Sequence, residues 1–145
     1  MATNPMISPA TAKAMLDNLS ANFNSYYVGI YTGAIPTNCG TSNSGTHLAS
    51  PQFGSTAFGS STDGTSTGIM TATANAIASD TNAANSGTAG YFSCQASANS
   101  GTVIARGTCG TSSADMIMNT TTITAGDTIA ISSFTITLPD GSGND

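Results

Sequence analysis

The amino-terminal part of the chain carries apolar residues at helical spacing. Its stripe consists of Met15, Leu16, Leu19 and Phe23. Ser8 is a suitable N-cap residue, and Pro9 fits the first helical position because its missing N–H would be unpaired there in any case. The pattern predicts one helix over residues 8–24. We expect its stripe to pack on the domain's own sheet, with a neighbouring subunit as the alternative.

Beyond residue 25, short apolar and β-branched runs separated by turn residues replace the helical pattern. The predicted strands are 26–31, 69–74, 87–95, 102–108 and 128–138, a strand that ends at 123, and shorter strands at 46–49 and 53–58 within the loop-rich stretch 34–66. The turn at Asn99-Ser-Gly101 gives the strands on its two sides hairpin character. Short strands at this spacing are typical of a β-sandwich, and the lack of further helical segments excludes parallel βαβ units.

The last predicted strand changes the phase of its apolar residues. The first set is Ile129 and Ile131, and the second set is Phe134, Ile136 and Leu138. A strict period of two cannot direct both sets into one core. A bulge or kink at the serine pair 132–133 would bring both sets to the same face.

These elements predict a mostly β fold: an antiparallel β-sandwich with one short N-terminal helix. A jelly-roll and an immunoglobulin-like topology both stay open, because strand spacing does not encode connectivity. The length of 145 residues fits a single domain. We expect an N-terminal arm at 1–7, one β-sandwich domain at 8–139 led in by the helix 8–24, and a flexible tail at 140–145.

Charged residues make up only 6% of the chain, against roughly 25% in a typical soluble domain. Lys13 and Arg106 are the two basic residues, all seven acidic residues are Asp, and the net charge is −5. So few cations cannot neutralise phosphates, and we expect no nucleic acid as a partner. No apolar run approaches the ~20 residues of a membrane span, and a signal peptide is not evident, so we expect no membrane partner.

Catalytic motifs are nearly absent from the sequence. Gly64-Thr-Ser-Thr-Gly68 matches the pattern G-x-S-x-G, but a strand is predicted after it, where a nucleophile elbow requires a helix. His47 is the single histidine and therefore the single candidate base of that type. No phosphate-binding motif occurs. We predict that the protein is not an enzyme and has no catalytic residues.

The three cysteines are Cys39, Cys94 and Cys109, and their spacing with His47 is unlike that of structural zinc motifs. Free, partly buried thiols are one reading, and a Cys94–Cys109 disulfide between neighbouring strands is the other.

Three aspartates, Asp63, Asp127 and Asp140, stand at turns beside glycine. We interpret them as turn residues, with calcium ligands as the alternative. We predict no metal and no cofactor.

Between Phe58 and Pro139 the chain carries several short motifs. They are Asn75-Ala-Ile77, Gly87-Thr-Ala-Gly-Tyr-Phe92, Gly107-Thr-Cys-Gly-Thr-Ser-Ser-Ala-Asp115, Met118-Asn-Thr120, Ile123-Thr-Ala-Gly126 and Ser133-Phe-Thr-Ile-Thr-Leu-Pro139. In these motifs, and in 26–33 as a first strand, the chain resembles a family of small head-associated virion proteins of tailed phages. It departs from the family pattern at Ser93 and Cys94, where we expect a basic or aliphatic residue, and at Cys109, where we expect an aliphatic one.

The resemblance implies a jelly-roll-like accessory capsid protein, a decoration or cement protein, on the outer surface of a virion that assembles in the bacterial cytoplasm. Its expected partners are the major capsid protein and further copies of this chain, as a trimer or dimer. Such a protein needs no reactive group, because repetition over the shell multiplies weak contacts. The predicted partner-binding residues are the extended arm Ala2, Thr3, Asn4, Pro5, Met6 and Ile7.

Two other functions stay open. A tail, fibre or vertex component would have the same composition. A host-carbohydrate-binding module would need exposed aromatic side chains, for which the candidates are Tyr26, Tyr27, Tyr31 and Phe53.

Overall fold

One helix and twelve strands form the part of the chain that the computed structural model describes, residues 7–63 and 68–139. The helix is α1 (Pro9–Ala21). The strands are β1 (Tyr27–Tyr31), β2 (His47–Ala49), β3 (Gln52–Phe53), β4 (Thr62–Asp63), β5 (Ile69–Thr73), β6 (Ile77–Ala78), β7 (Gly87–Thr88), β8 (Tyr91–Ser97), β9 (Ser100–Gly110), β10 (Met116–Met118), β11 (Thr122–Ile123) and β12 (Ile131–Pro139).

Ten of these strands belong to one hydrogen-bonded sheet, with the order β4-β5-β12-β10-β9-β8-β1-β3-β6 and with β2 paired to β1. β7 and β11 form a separate two-stranded sheet. The prediction of a mostly β, antiparallel sandwich led in by one short helix is confirmed. Among the described strands one pair departs from the antiparallel pattern, since β10 runs parallel to β9.

The parallel pair β9–β10 is joined by a loop of only five residues, 111–115. Parallel neighbours usually need a connection of about a dozen residues. The short loop suffices here because the two strands overlap at only two positions, Cys109 with Met116 and Gly110 with Ile117. Asp115 Oδ2 holds the loop, because it accepts hydrogen bonds from the N–H and the hydroxyl of Thr108, each at 2.8 Å.

The sheet curls around a cluster of five phenylalanine rings. The ring centroid of Phe134 on β12 lies within 6.2 Å of those of Phe23, Phe53, Phe58 and Phe92. β12 and β3 are far apart in the strand order, so contact between Phe134 and Phe53 requires two parts of the sheet to face each other. That arrangement is the sandwich.

The predicted irregularity at the serine pair 132–133 is confirmed. Met116 lies opposite Phe134, Ile117 opposite Ser133 and Met118 opposite Ile131, so Ser132 has no partner residue across the ladder. The Ser132 hydroxyl donates to the carbonyl oxygen of Ile117 at 3.2 Å. This one-residue bulge directs both apolar sets of the strand into the core.

The helix begins as predicted and ends three residues early. Ser8 is the N-cap, its hydroxyl accepts the N–H of Thr11 at 3.3 Å, and Pro9 occupies the first turn. The predicted end at 24 is wrong, because Asn22 caps the helix. Its side-chain amide donates to the carbonyls of Asn18 and Leu19, which competes with a further helical turn.

Only two of the four residues in the predicted apolar stripe of the helix are buried. Leu16 and Phe23 are buried as expected, whereas Met15 and Leu19 are 47% and 44% exposed. The face that packs on β5 and β12 is Ala12, Leu16 and Ser20, at a spacing of four residues. The side chains of alanine and serine are small, so the helix can approach the sheet closely. This narrow face is therefore enough to pack the helix on the sheet.

Several strand boundaries differ from the prediction. The predicted strand 87–95 divides into β7 and β8, which belong to different sheets. At the division, a Cβ on Gly90 would lie 2.0 Å from the carbonyl oxygen of Gly33, so only glycine fits this approach. The predicted strand 53–58 is shortened to β3 plus an isolated bridge of Phe58 with Ala74.

Asp17 ties the helix to the chain segment before β4. Its Oδ1 accepts the N–H of Ser61 at 2.7 Å and the Ser61 hydroxyl at 2.6 Å, while its Oδ2 pairs with Lys13 Nζ at 2.7 Å. Lys13 also donates to the Ser60 hydroxyl at 2.6 Å. The hydrogen bonds from Lys13 and Ser61 lower the pKa of Asp17 from 3.8 to about 2.

Leu16→Ala and Leu19→Ala separate the buried face of the helix from the exposed one. We expect Leu16→Ala to lower the free energy of unfolding by about 3 kcal/mol, since it leaves a cavity. Leu19→Ala should change it by no more than about 0.5 kcal/mol. Urea unfolding followed by circular dichroism measures both, and equal effects would contradict the observed helix orientation.

Acid titration tests the Asp17 tether. Because the pKa is lower in the folded state, the unfolded state binds more protons between pH 3.8 and about 2. The stabilisation from Asp17 is therefore complete above that interval and is lost as the pH falls through it. Asp17→Asn should flatten this part of a plot of unfolding free energy against pH.

The matched control for the titration is Asp63→Asn, at an exposed aspartate on β4. We expect Asp63→Asn to follow the wild-type profile. A profile for Asp17→Asn as steep as the wild type would show that the tether does not contribute.

Candidate functional site

The outer face of β1 and β8 is polar, although it is completely covered. Ser93 and Gln95 have no exposed surface, Tyr91 has none, and Tyr31 is 3% exposed. The connection between β1 and β2, residues 32–46, lies over this face. We call this segment the covering loop. Buried polar groups need hydrogen-bond partners, so the loop must supply them.

Gln95 lies at the centre of this buried network. Its amide nitrogen donates to the Tyr31 hydroxyl and to the carbonyl of Ala98, both at 3.0 Å. Its amide oxygen accepts from Asn43 Nδ2 at 2.8 Å. Gln95 therefore joins strand β1, the β8–β9 turn and the covering loop.

Tyr91 makes the second contact with the covering loop. Its hydroxyl donates to the Ser44 carbonyl at 2.7 Å and accepts the Ser44 N–H at 2.9 Å. Its ring stacks on Tyr31 with a centroid distance of 5.4 Å. The two tyrosines thus form part of the surface on which the loop rests.

Arg106 on β9 clamps the covering loop from the side. Its Nη1 donates to the carbonyl of Asn38, and its Nη2 donates to the carbonyl of Thr41 at 2.6 Å and to Asn43 Oδ1 at 2.8 Å. Its Nε donates to the Ser93 hydroxyl at 3.0 Å, which in turn donates to Asn43 Oδ1 at 2.8 Å. Four of the five guanidinium N–H groups are used, so the residue is a clamp with little capacity left for an anion.

The sequence reasoning missed this role of Arg106. The available signal was a lone arginine within a strand of a protein that has only two basic residues. Ser93 suits its position because its small hydroxyl fits between Arg106 and Asn43.

A cleft of about 690 Å³ lies between the covering loop and the β8–β9 turn. We call it the polar cleft. Its lining includes Tyr31, Asn43, His47, Asn99, Thr102 and Arg106. The exposed thiol of Cys39 also borders it. This volume is within the usual range for small-molecule sites.

His47 forms a hydrogen bond of 2.7 Å between its Nε2 and the Ser50 hydroxyl, a pair that the sequence did not indicate. The Ser50 hydroxyl donates its proton to the Ala98 carbonyl at 2.7 Å, so Nε2 must be the donor to Ser50. A protonated Nε2 cannot accept a proton from the serine. The Asp80 carboxylate accepts the N–H groups of Ser50 and Asn82. His47 and Ser50 together tie the start of β2 to the β2–β3 connection and, through the Ala98 carbonyl, to the β8–β9 turn.

Burial lowers the pKa of His47 below 6.5, although the nearby carboxylate of Asp80 opposes the shift. The imidazole is therefore mainly neutral at pH 7, and the polar cleft gains no second cation from it.

The three cysteines are free thiols. Cys94 lies opposite Ala105, four residues before Cys109 along β9, which places the two cysteines roughly 13 Å apart. The alternative of a Cys94–Cys109 disulfide is therefore excluded. Burial raises the pKa of the Cys94 thiol strongly and that of Cys109 to about 11. Within residues 7–63 and 68–139, no three His, Cys, Asp or Glu side chains are grouped to hold a metal ion.

The predicted site residues fall partly outside the described structure. Of the arm, Ala2–Met6 lie outside it, and Ile7 is half-buried against the core. The G-x-S-x-G segment lies outside it at residues 64–67, as does the tail 140–145. Asp127 is a turn residue as predicted, since its Oδ2 accepts the Thr124 N–H at 2.8 Å.

All nine aromatic side chains belong to the described residues, and none is exposed. Tyr31 and Phe53 are buried, and Tyr26 and Tyr27 are half-buried. The aromatic platform that the carbohydrate-binding reading required is not present on this surface.

Comparison with protein-family models, with curated proteins and with solved structures finds no match for this chain. Within the described residues, α1 is too short to cross a bilayer.

Arg106→Lys tests the clamp on the covering loop. Lysine keeps the charge but loses the planar fork that reaches three acceptors of the loop, so we expect a loss of about 2 kcal/mol in unfolding free energy. Amide hydrogen exchange at 38–44 should accelerate more than elsewhere. Lys13→Ala, which breaks an exposed ion pair, is the control and should cost no more than about 1 kcal/mol. Unchanged exchange in the loop would rule out the clamp.

Proposed function

We propose that this chain is a non-enzymatic decoration protein of a phage capsid, which binds the outer surface of the major capsid protein shell and stabilises it. The resemblance to head-associated virion proteins suggests this function. The observation that supports it best is an apolar patch on the outer face of α1.

The patch consists of Met15 and Leu19, one helical turn apart, with Ala14 beside them. Single exposed apolar residues such as Ile35, which is 44% exposed, are ordinary on a protein surface. Two long apolar side chains on the same helical face are more informative, because adjoining apolar surface commonly marks an interface. The polar residues around the patch are Thr11, Asn18 and Asn22.

The charge distribution limits what the patch can bind. Both cations are engaged within the chain, Lys13 with Asp17 and Arg106 with the covering loop. On the described surface, the aspartates are therefore not balanced by a lysine or arginine that is free of internal contacts. The net charge of the chain is −5. A neutral or basic partner surface fits this arrangement, whereas an acidic one would be repelled.

The shell interaction also fits the remaining chemistry. His47 and Ser50 lie together, and the Ser50 hydroxyl donates to the Ala98 carbonyl, which supports a structural role for this pair. Many identical copies on a symmetric shell, as dimers or trimers, would turn a modest apolar patch into stable attachment. The arm 1–7 is proposed as a second contact. A tail, fibre or vertex location would use the same surface at lower copy number.

The double variant Met15→Gln/Leu19→Gln tests the patch. Glutamine keeps the side-chain length and helix propensity but removes the apolar surface, so the fold should be retained. We expect binding to heads of the encoding phage, prepared without this chain, to weaken by about tenfold or more. Co-sedimentation at increasing protein concentration measures it.

Ile35→Gln is the matched control, because it removes an equally exposed apolar side chain from the covering loop. It should bind heads like the wild type. If the wild-type chain fails to bind heads, the proposed function is wrong. If the double variant binds as well as the wild type, the docking surface is elsewhere.

A further inference from the structure

The polar cleft and the apolar patch are built on different elements. The cleft is lined by β1, β2, β9 and the covering loop, whereas α1, which carries the apolar patch, contacts β4, β5 and β12. The two surfaces can therefore bind different partners.

The charge of the polar cleft excludes most ionic ligands. No acidic residue lines it, so it has no carboxylate for a cation. Arg106 is its one charged side chain, and four of the five N–H groups of Arg106 are bound within the chain. An anion would meet one remaining N–H on a protein of net charge −5. The chemistry favours an uncharged ligand.

The walls of the polar cleft carry several polar groups that are available for a ligand. The hydroxyls of Ser42, Ser100 and Thr102 make no side-chain hydrogen bond with any described residue, and all three residues are exposed. Asn99 Nδ2 is also available, since only Asn99 Oδ1 is engaged, in a long contact of 3.4 Å with the Tyr31 hydroxyl.

The apolar contribution of the cleft is small. Val103 lies on one wall of the cleft. Tyr31 lies on its floor but is only 3% exposed, so its ring face is not available for a ligand to stack on. A peptide side chain or a flat aromatic ligand would find little to pack on. The hydroxyl and amide groups that line this cleft, which has no carboxylate and a largely engaged arginine, match a molecule with many hydroxyl groups.

We propose that the polar cleft binds a neutral saccharide by hydrogen bonds alone, through Asn99, Thr102 and the neighbouring hydroxyl groups, without the exposed aromatic side chains that we expected of a carbohydrate-binding module. The affinity expected of such a site is millimolar, because few apolar contacts accompany the hydrogen bonds. Repetition of the chain on a particle would raise the effective affinity for a glycan-coated surface. The proposal does not depend on the shell interaction.

Titration of the isotopically labelled full chain with neutral oligosaccharides tests the proposal. The probes are maltotriose, cellotriose and diacetylchitobiose, and the readout is the amide chemical shift. We expect saturable shift changes at 39–47 and 99–103 for at least one probe. The double variant Asn99→Ala/Thr102→Ala should weaken that binding by about tenfold.

The matched control is Asn18→Ala/Thr137→Ala, at exposed residues of the same types away from the cleft. It should bind like the wild type, and both double variants should unfold at the wild-type temperature. No saturable shifts with any of the three probes would overturn the proposal. Equal binding by the cleft variant, or tighter binding of a sialylated than of a neutral trisaccharide, would also overturn it.

Discussion

The bulge at Ser132 is the feature on which the core of this protein depends. Phe134 contacts each of the other four phenylalanine rings, and it faces them only because one unpaired residue restores its phase after Ile131. Without the bulge, half of β12 would point its apolar residues to solvent. Because removing a buried phenylalanine typically costs 3–5 kcal/mol, the position of Phe134 decides whether the two parts of the sheet can pack together.

The bulge also shows what periodicity can predict. A phase change within an apolar strand has few physical solutions, so its place could be predicted from the residues alone. The helix start was predictable for the same reason, since Ser8 and Pro9 act locally. The exposure of Met15 and Leu19 was not, because the orientation of a helix depends on which face fits the sheet. The division of strand 87–95 and the parallel β9–β10 pair depend on contacts between distant residues, such as Gly90 with Gly33.

The candidate site was hidden from the sequence for a related reason. Gln95, Ser93 and Tyr31 look like ordinary strand residues, and a polar loop of Asn, Ser and Thr looks like a surface connection. Their roles appear once the loop lies over the sheet and each buried polar group finds its partner. Both basic side chains, Lys13 and Arg106, bind other parts of the chain. These contacts explain how a weakly charged chain can hold long polar segments such as the covering loop in place.

The clamp has a consequence for how this surface can diverge. Arg106 grips the covering loop mainly through main-chain oxygens, those of Asn38 and Thr41, and Tyr91 likewise binds only the backbone of Ser44. Hydrogen bonds to the main chain do not depend on which side chains the loop carries at those positions. Related chains could therefore exchange the outward residues of the loop while its path stays fixed, provided that they keep Asn43, whose side chain binds Gln95, Ser93 and Arg106. Homologous sequences would then vary at the outward positions of the covering loop and keep an arginine at position 106.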